Sequence, residues 1–171
     1  MIKSTLEKME NLIANILEYS SIASSENITV EINTQHIVDE LLEMLFIPDH
    51  ITVKVLGELP VLKGDQTKIH QVFQNLITNA IKYNDKEEGL ITIDVKEQLT
   101  YFEFSIKDNG IGIEKKNHDK IFKIFNALHR DKDSTGVGLS IVKKIIDLHG
   151  GDIWLESEPG EGSVFYFTLK K

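Results

Sequence analysis

The chain has 171 residues, a net charge of −8 and an apolar fraction of 41%, enough for one cored domain with an appendage and too acidic for non-specific nucleic-acid binding. It has no cysteine, which excludes disulfides and thiolate metal sites and fits a cytoplasmic protein. No apolar run approaches the ~18 residues of a membrane helix and no leader-like N-terminus is present, so no membrane partner is expected for this segment.

Residues 1–24 predict a helix. Leu6, Met9, Ile13 and Ile16 form a heptad-like seam, widened by Leu12 and Leu17. Such a seam can pack on its own domain or on a second copy; a partner helix, and so a homodimer through residues 1–24, is the expectation. A loop follows through Asn27, and the domain proper is expected over 25–171. Ile28–Ile32 alternates as a strand, Asn33-Thr34 caps a helix over 35–46, and Pro48 breaks it. Ile51–Val55 is a second strand and Leu59–Leu62 is extended. A helix runs from Asp65, its N-cap, to Asn84. Leu90–Val95 and Tyr101–Ile106 predict a hairpin, followed by Asp108-Asn-Gly-Ile-Gly112 and a charged, weakly periodic stretch over 114–135. Gly136 opens a further helix that Gly150-Gly151 ends. Ile153–Ser157 and Ser163–Leu169 are strands joined by the turn Pro159–Gly162. Two hairpins among helices imply an α+β fold: a two-layer sandwich with helices on one face of a mixed, largely antiparallel sheet.

The helix over 65–84 carries chemistry beside its apolar stripe. Ile69, Val72, Phe73, Leu76, Ile77, Ala80 and Ile81 recur at helical spacing. Asn75, Asn79, Lys82 and Tyr83 fall along one edge of that stripe. Taken alone, the helix reads as a core helix with a polar border. Two carboxamides, an ammonium and a phenol nevertheless suit a metal-bound polyphosphate better than they suit plain solvent.

Two glycine elements follow. Asp108-Asn-Gly-Ile-Gly112 is good turn chemistry, yet no strand follows it at once. A buried Asp108 could accept a hydrogen bond from an exocyclic amine such as that of adenine, with Gly110 and Gly112 allowing close approach. It is not a phosphate loop of the GxxxxGK[ST] kind. Thr135-Gly-Val-Gly-Leu139 stands at a helix start, where free amides attract phosphate; a flexible loop-to-helix junction explains it equally well in isolation. The stretch between them has the length and composition of a lid, with Phe122 and Phe125 as apolar anchors and Lys123, Arg130 and Lys132 as candidate phosphate contacts.

Together these stretches resemble sensor histidine kinases. Asn75-Leu-Ile-Thr-Asn79-Ala-Ile-Lys82-Tyr83 resembles their N box, Asp108–Gly112 the G1 box, Phe122-Lys-Ile-Phe125 the F box and Thr135–Leu139 the G2 box, in family order and spacing over residues 30–171. The tail from His149 to Leu169 is also similar. The first helix looks like the end of the second dimerisation helix, and Leu128-His129-Arg130 resembles the phytochrome-like, PAS-linked branch.

The resemblance implies a Bergerat ATP-binding catalytic domain with ATP and Mg²⁺ as cofactors. It implies Asn79 as metal ligand and Asn75, Asn79 and Lys82 as the catalytic set. Tyr83, Asp108, Gly110, Gly112, Ile113, Phe122, Thr135, Gly136, Val137, Gly138 and Leu139 would complete the nucleotide site. The implied partners are the dimerisation and histidine-phosphotransfer domain of the same kinase and a response-regulator receiver domain.

Two departures from the pattern stand out. Hydrolytic relatives carry a Glu four residues before the metal Asn, where this chain has Asn75; this favours transfer to histidine. The first glycine of the second box is Ser134 here. None of His36, His50, His70, His118, His129 and His149 lies in a phosphoacceptor motif. The chain is therefore expected to begin inside the dimerisation domain, to lack autophosphorylation, and to act on a histidine outside itself. A stand-alone ATPase or protein kinase of the same superfamily, and a nucleotide-binding dimerisation module without catalysis, are the alternatives.

Overall fold

The computed structural model describes residues 10, 13–14, 16–17, 19–22, 28–124, 126 and 136–171. The seam residues Leu6, Met9 and Leu12, and Phe125, Arg130, Lys132, Ser134 and Thr135, lie outside them. Within the N-terminal helix the described residues up to Ser21 are helical, with Ile13, Ile16 and Leu17 exposed. Its end packs on its own domain. Ile22 is buried, and Tyr19 receives Lys144 twice: Nζ donates to its carbonyl at 2.6 Å and lies 4.0 Å from the ring centroid.

Among the described residues three α-helices follow, α1 (Thr34–Met44), α2 (Gln66–Lys82) and α3 (Gly138–Leu148), with seven strands. The main sheet contains β2 (Ile51–Leu56), β4 (Gly89–Glu97), β5 (Tyr101–Asp108), β6 (Ile153–Glu158) and β7 (Gly162–Lys170) in the order β2-β4-β5-β7-β6. Only the β2–β4 pair is parallel, Ile51 standing opposite Gly89; the rest are antiparallel. Alternation decides the faces. Ile91, Ile93, Phe104, Ile106, Phe165, Phe167 and Leu169 are buried beneath the helices, while Thr92, Lys107 and Tyr166 point the other way. This is the expected two-layer α+β sandwich.

Four boundaries differ from expectation. β1 (Val30–Asn33) starts two residues late, and Val61–Gly64 is a true strand, β3, that pairs with it as a separate antiparallel ribbon. α1 stops at Met44: Leu45 is extended and Phe46 exposed, because the residue before Pro48 cannot remain helical and the chain leaves the helix ahead of it. α3 starts at Gly138 because Gly136 has φ +68°, outside helical space. The caps match the sequence reading, with Asn33 Oδ1 accepting from His36 N and Asp65 Oδ1 from Lys68 N, both at 3.2 Å.

α2 runs across the centre of the core. Its Phe73 meets Phe104 and Phe167 edge-on, each with ring centroids 5.5 Å apart, and those two rings stack at 5.1 Å. Truncating this keystone should be severe. Phe73→Ala is expected to cost about 3–5 kcal/mol in urea unfolding. A loss under about 1 kcal/mol would mean that the aromatic cluster does not anchor α2.

Candidate functional site

Of the predicted residues, Asp108, Gly110, Gly112 and Tyr83 meet at one end of the sheet, where β5 ends and α2 ends, while Gly138 lies against Asn75 farther back on α2 and Phe122 against Phe165. Three segments meet there: the C-terminus of α2, the loop 109–114 after β5, and the turn between β6 and β7. Backbone bonds join them. Ile111 N donates to Tyr83 O at 3.1 Å, and Gly160 N donates to Ile111 O at 2.7 Å.

The two glycines of the loop have a packing use within the domain itself. A Cβ on Gly110 would stand 2.3 Å from Tyr83 O, and one on Gly112 would stand 1.9 Å from Glu158 O. Their smallness lets the loop wedge between α2 and the β6–β7 turn. Ile113 is tied to the same turn, its amide donating to Ser157 Oγ at 2.8 Å, and its carbonyl lies 2.9 Å from His118 Nε2.

Asp108 ends β5 and is 7% exposed. Its Oδ1 accepts from Gly110 N at 2.8 Å, and the Ser163 amide also donates to the carboxylate. Burial outweighs both bonds and pushes its pKa from 3.8 to about 6. A carboxylate held at that cost is a strong acceptor for any donor that reaches it, and perturbed groups of this kind cluster at functional sites.

On α2, Asn75 and Asn79 are half-buried one turn apart, and Lys82 is exposed. The Asn75 amide group donates to Gln71 O at 2.9 Å, and its Oδ1 faces α3: a Cβ on Gly138 would stand 2.6 Å from it. Glycine at the first position of α3 therefore leaves room for the Asn75 carboxamide. The Asn79 carboxamide makes no hydrogen bond among the described residues. Lys82 Nζ lies 5.6 Å from the Tyr83 ring centroid. Val137 is buried, with its carbonyl accepting from Ser140 Oγ at 2.7 Å, and among the described residues no side chain caps the start of α3. Leu139 is half-buried, and Phe122 sits edge-on to Phe165 with centroids 6.4 Å apart. Thr135 and the lid between 127 and 135 lie outside the described residues.

Several contributors were missed by sequence reasoning. Asn84 and Asn109 bond to each other at 2.9 Å, and Ser157 links Ile113 to Gly162 O at 2.8 Å. The β6–β7 turn also supplies Gly160 O, which Lys86 Nζ reaches at 3.0 Å. The Pro-Gly-Glu-Gly turn was visible in the sequence; that it would fold against Gly112 was not.

Comparison with known proteins agrees with this geometry. Residues 64–171 match the family model described as histidine kinase-, DNA gyrase B-, and HSP90-like ATPase. Cyanobacterial phytochrome B of Nostoc sp. is 40% identical over 171 residues, covering 96% of this chain and 23% of that protein. The chain thus spans under a quarter of that relative's length. The nucleotide-free catalytic domain of histidine kinase ThkA superposes with a TM-score of 0.68 at 32% identity, covering 84% of this chain and 95% of that one. ThkA in complex with its response regulator protein TrrA superposes with a TM-score of 0.74 at 30% identity, covering 99% of this chain and 49% of that one. With this family match over residues 64–171 and these relatives, the chain belongs to the histidine kinase-, DNA gyrase B- and HSP90-like ATPases, as the ATP-binding catalytic domain of a histidine kinase.

Proposed function

We propose that this domain holds Mg-ATP between α2 and the loop after β5 and presents the γ-phosphate to a histidine on another domain. The observation that carries this reading is the stitching of buried Asp108, through Gly110 and Ile111, to the end of the helix that bears Asn75, Asn79, Lys82 and Tyr83. Asp108 accepts from the adenine amine. Lys82 and the open amides at the start of α3 meet the phosphates, with Gly136, Val137, Gly138 and Leu139 shaping that wall and Ile113 and Phe122 the apolar side.

The donor chemistry fits Mg²⁺. Asn79 offers one hard carboxamide oxygen, and no cluster of three His, Asp or Glu side chains occurs among the described residues, so the ion would take its other ligands from phosphate and water. When bound, Mg²⁺ neutralises phosphate charge as transfer proceeds. Asn75 leans on Gln71 and Gly138, and a carboxamide cannot take a proton from water; this supports transfer over hydrolysis. No described helix is long and apolar enough to cross a membrane, and the reading puts the domain in the cytoplasm with its acceptor histidine domain and a receiver domain of the kind ThkA binds.

Calorimetric titration with ATP, with and without Mg²⁺, tests the ligand; transfer of labelled phosphate to a separately supplied histidine domain tests the reaction. Folded protein that binds no ATP would overturn the reading. Asn79→Ala should abolish the gain in ATP affinity on adding Mg²⁺ and leave adenosine affinity within about twofold. An unchanged Mg²⁺ gain would remove Asn79 from the metal's ligands.

A further inference from the structure

We propose that Asn84 and Asn109 form a positioning clamp that fixes the spacing between the base end of the pocket at Asp108 and the phosphate end on α2, and that neither touches the nucleotide. The inference rests on the ATP-binding reading and deepens it.

Asn109 directly follows Asp108 and spends its whole side chain on the loop 84–90. Its Oδ1 accepts from Asn84 Nδ2 at 2.9 Å and from Leu90 N at 2.8 Å, and its Nδ2 donates to Glu88 O at 2.9 Å. Its backbone amide donates to Leu90 O at 3.2 Å. Asn84 lies two residues after the end of α2, and its Oδ1 accepts from Lys86 N at 3.2 Å. The same closure explains Gly89: a Cβ there would stand 3.0 Å from Asn84 Oδ1 and 2.8 Å from Ile51 Cγ1.

The chemistry selects asparagine at 109. Two donors converge on its oxygen and one carbonyl on its nitrogen, so the group must carry both functions on one rigid plane. An aspartate there would set an oxygen against Glu88 O; an apolar residue would lose all three side-chain bonds. With Ile111 N on Tyr83 O, the clamp makes two independent ties between the end of β5 and the end of α2. Neither wall can rotate about the other while both hold. A ligand that spans the pocket then meets two subsites already at the right separation, which is where preorganisation raises affinity.

A spacing role has a signature that a merely structural role lacks: ligands that occupy one subsite should be indifferent to the clamp, and only a ligand spanning both should suffer. Three probes are titrated into wild type and Asn109→Ala: adenosine, Mg²⁺ with inorganic tripolyphosphate, and Mg-ATP. Asn109→Ala is expected to weaken Mg-ATP about tenfold, the range seen for outer partners of ligating groups, with each half-probe within about twofold of wild type. Should that variant fail to fold, Asn84→Ala, which leaves the Leu90 and Glu88 bonds in place, is expected to give the same pattern at about three- to tenfold. Unchanged Mg-ATP affinity overturns the clamp and leaves the ATP reading standing. Parallel loss of all three probes also overturns it, since that marks general damage to the fold. Wild type that binds no Mg-ATP overturns the ATP reading itself, and the clamp with it.

Discussion

Asp108→Asn should separate stability from binding: the variant folds at least as firmly as wild type at neutral pH and binds ATP on the order of 100-fold more weakly. The binding loss follows from geometry. Gly110 N holds Oδ1 at 2.8 Å and the Ser163 amide also donates to the carboxylate, so in the variant the carboxamide oxygen is kept for these backbone amides and the amide group is turned to the ligand. On the proposed reading a donor would then meet the adenine amine, and a charge-assisted bond would become a donor–donor contact.

The stability gain follows from burial, which raises the pKa of Asp108 from 3.8 to about 6. Between those values the native state keeps a proton that the unfolded chain has released. Stability therefore falls as pH rises through the window, and the cost is fully present above about pH 6 and absent below about pH 4. A shift of that size corresponds to about 3 kcal/mol. Asparagine does not titrate. The stability difference between the proteins should thus move toward the variant by up to about 3 kcal/mol between pH 4 and pH 7, read from urea unfolding at each pH. Adenosine, which has no phosphate to titrate, should lose affinity for wild type as pH falls below about 6 and show no such limb with the variant. A pH-independent stability difference would mean that Asp108 ionises without hindrance.

What was legible in the sequence was what depends on period and local chemistry. The apolar stripe of α2, its Asp65 cap and the alternation of β4, β5 and β7 each follow from spacing within one segment. The polar edge of α2 was also legible, since Asn75, Asn79, Lys82 and Tyr83 must share a face on any helix. What was not legible required the approach of distant segments. Gly110 and Gly112 were noticed, but their partners Tyr83 O and Glu158 O come from α2 and from the far hairpin. Asn109 looked like turn chemistry, and only the loop 84–90 reveals its work. Val61–Gly64 passed as extended chain because a four-residue strand has too little pattern to announce a partner 31 residues earlier; its pairing with Val30–Asn33 is a tertiary fact.

Gly112→Ala should be among the most damaging single changes, and its cost can be split into parts. The residue has φ +68°, left-handed space that costs an L-residue about 1–2 kcal/mol. Gly57 shares that conformation at φ +77° with nothing within 4 Å of an added Cβ, so Gly57→Ala isolates the backbone term and should cost only about 1–2 kcal/mol. At Gly112 the added methyl would stand 1.9 Å from Glu158 O and 3.0 Å from Pro159 Cα. That carbonyl cannot swing away freely, because Glu161 N donates to it at 3.1 Å within the turn. Relief must come from separating the 109–114 loop from the β6–β7 turn, which puts the Gly160 N to Ile111 O bond at risk. Overpacking of this kind adds about 1–3 kcal/mol, bringing the total to roughly 2–5 kcal/mol, a large share of the ~5–15 kcal/mol that holds a typical domain together. Urea midpoints of the two variants give the comparison directly. Equal losses at the two glycines would show that the turn yields and that the wedge does not hold the site. A markedly larger loss at Gly112, with Mg-ATP binding falling alongside it in protein that is still folded, is the expected result.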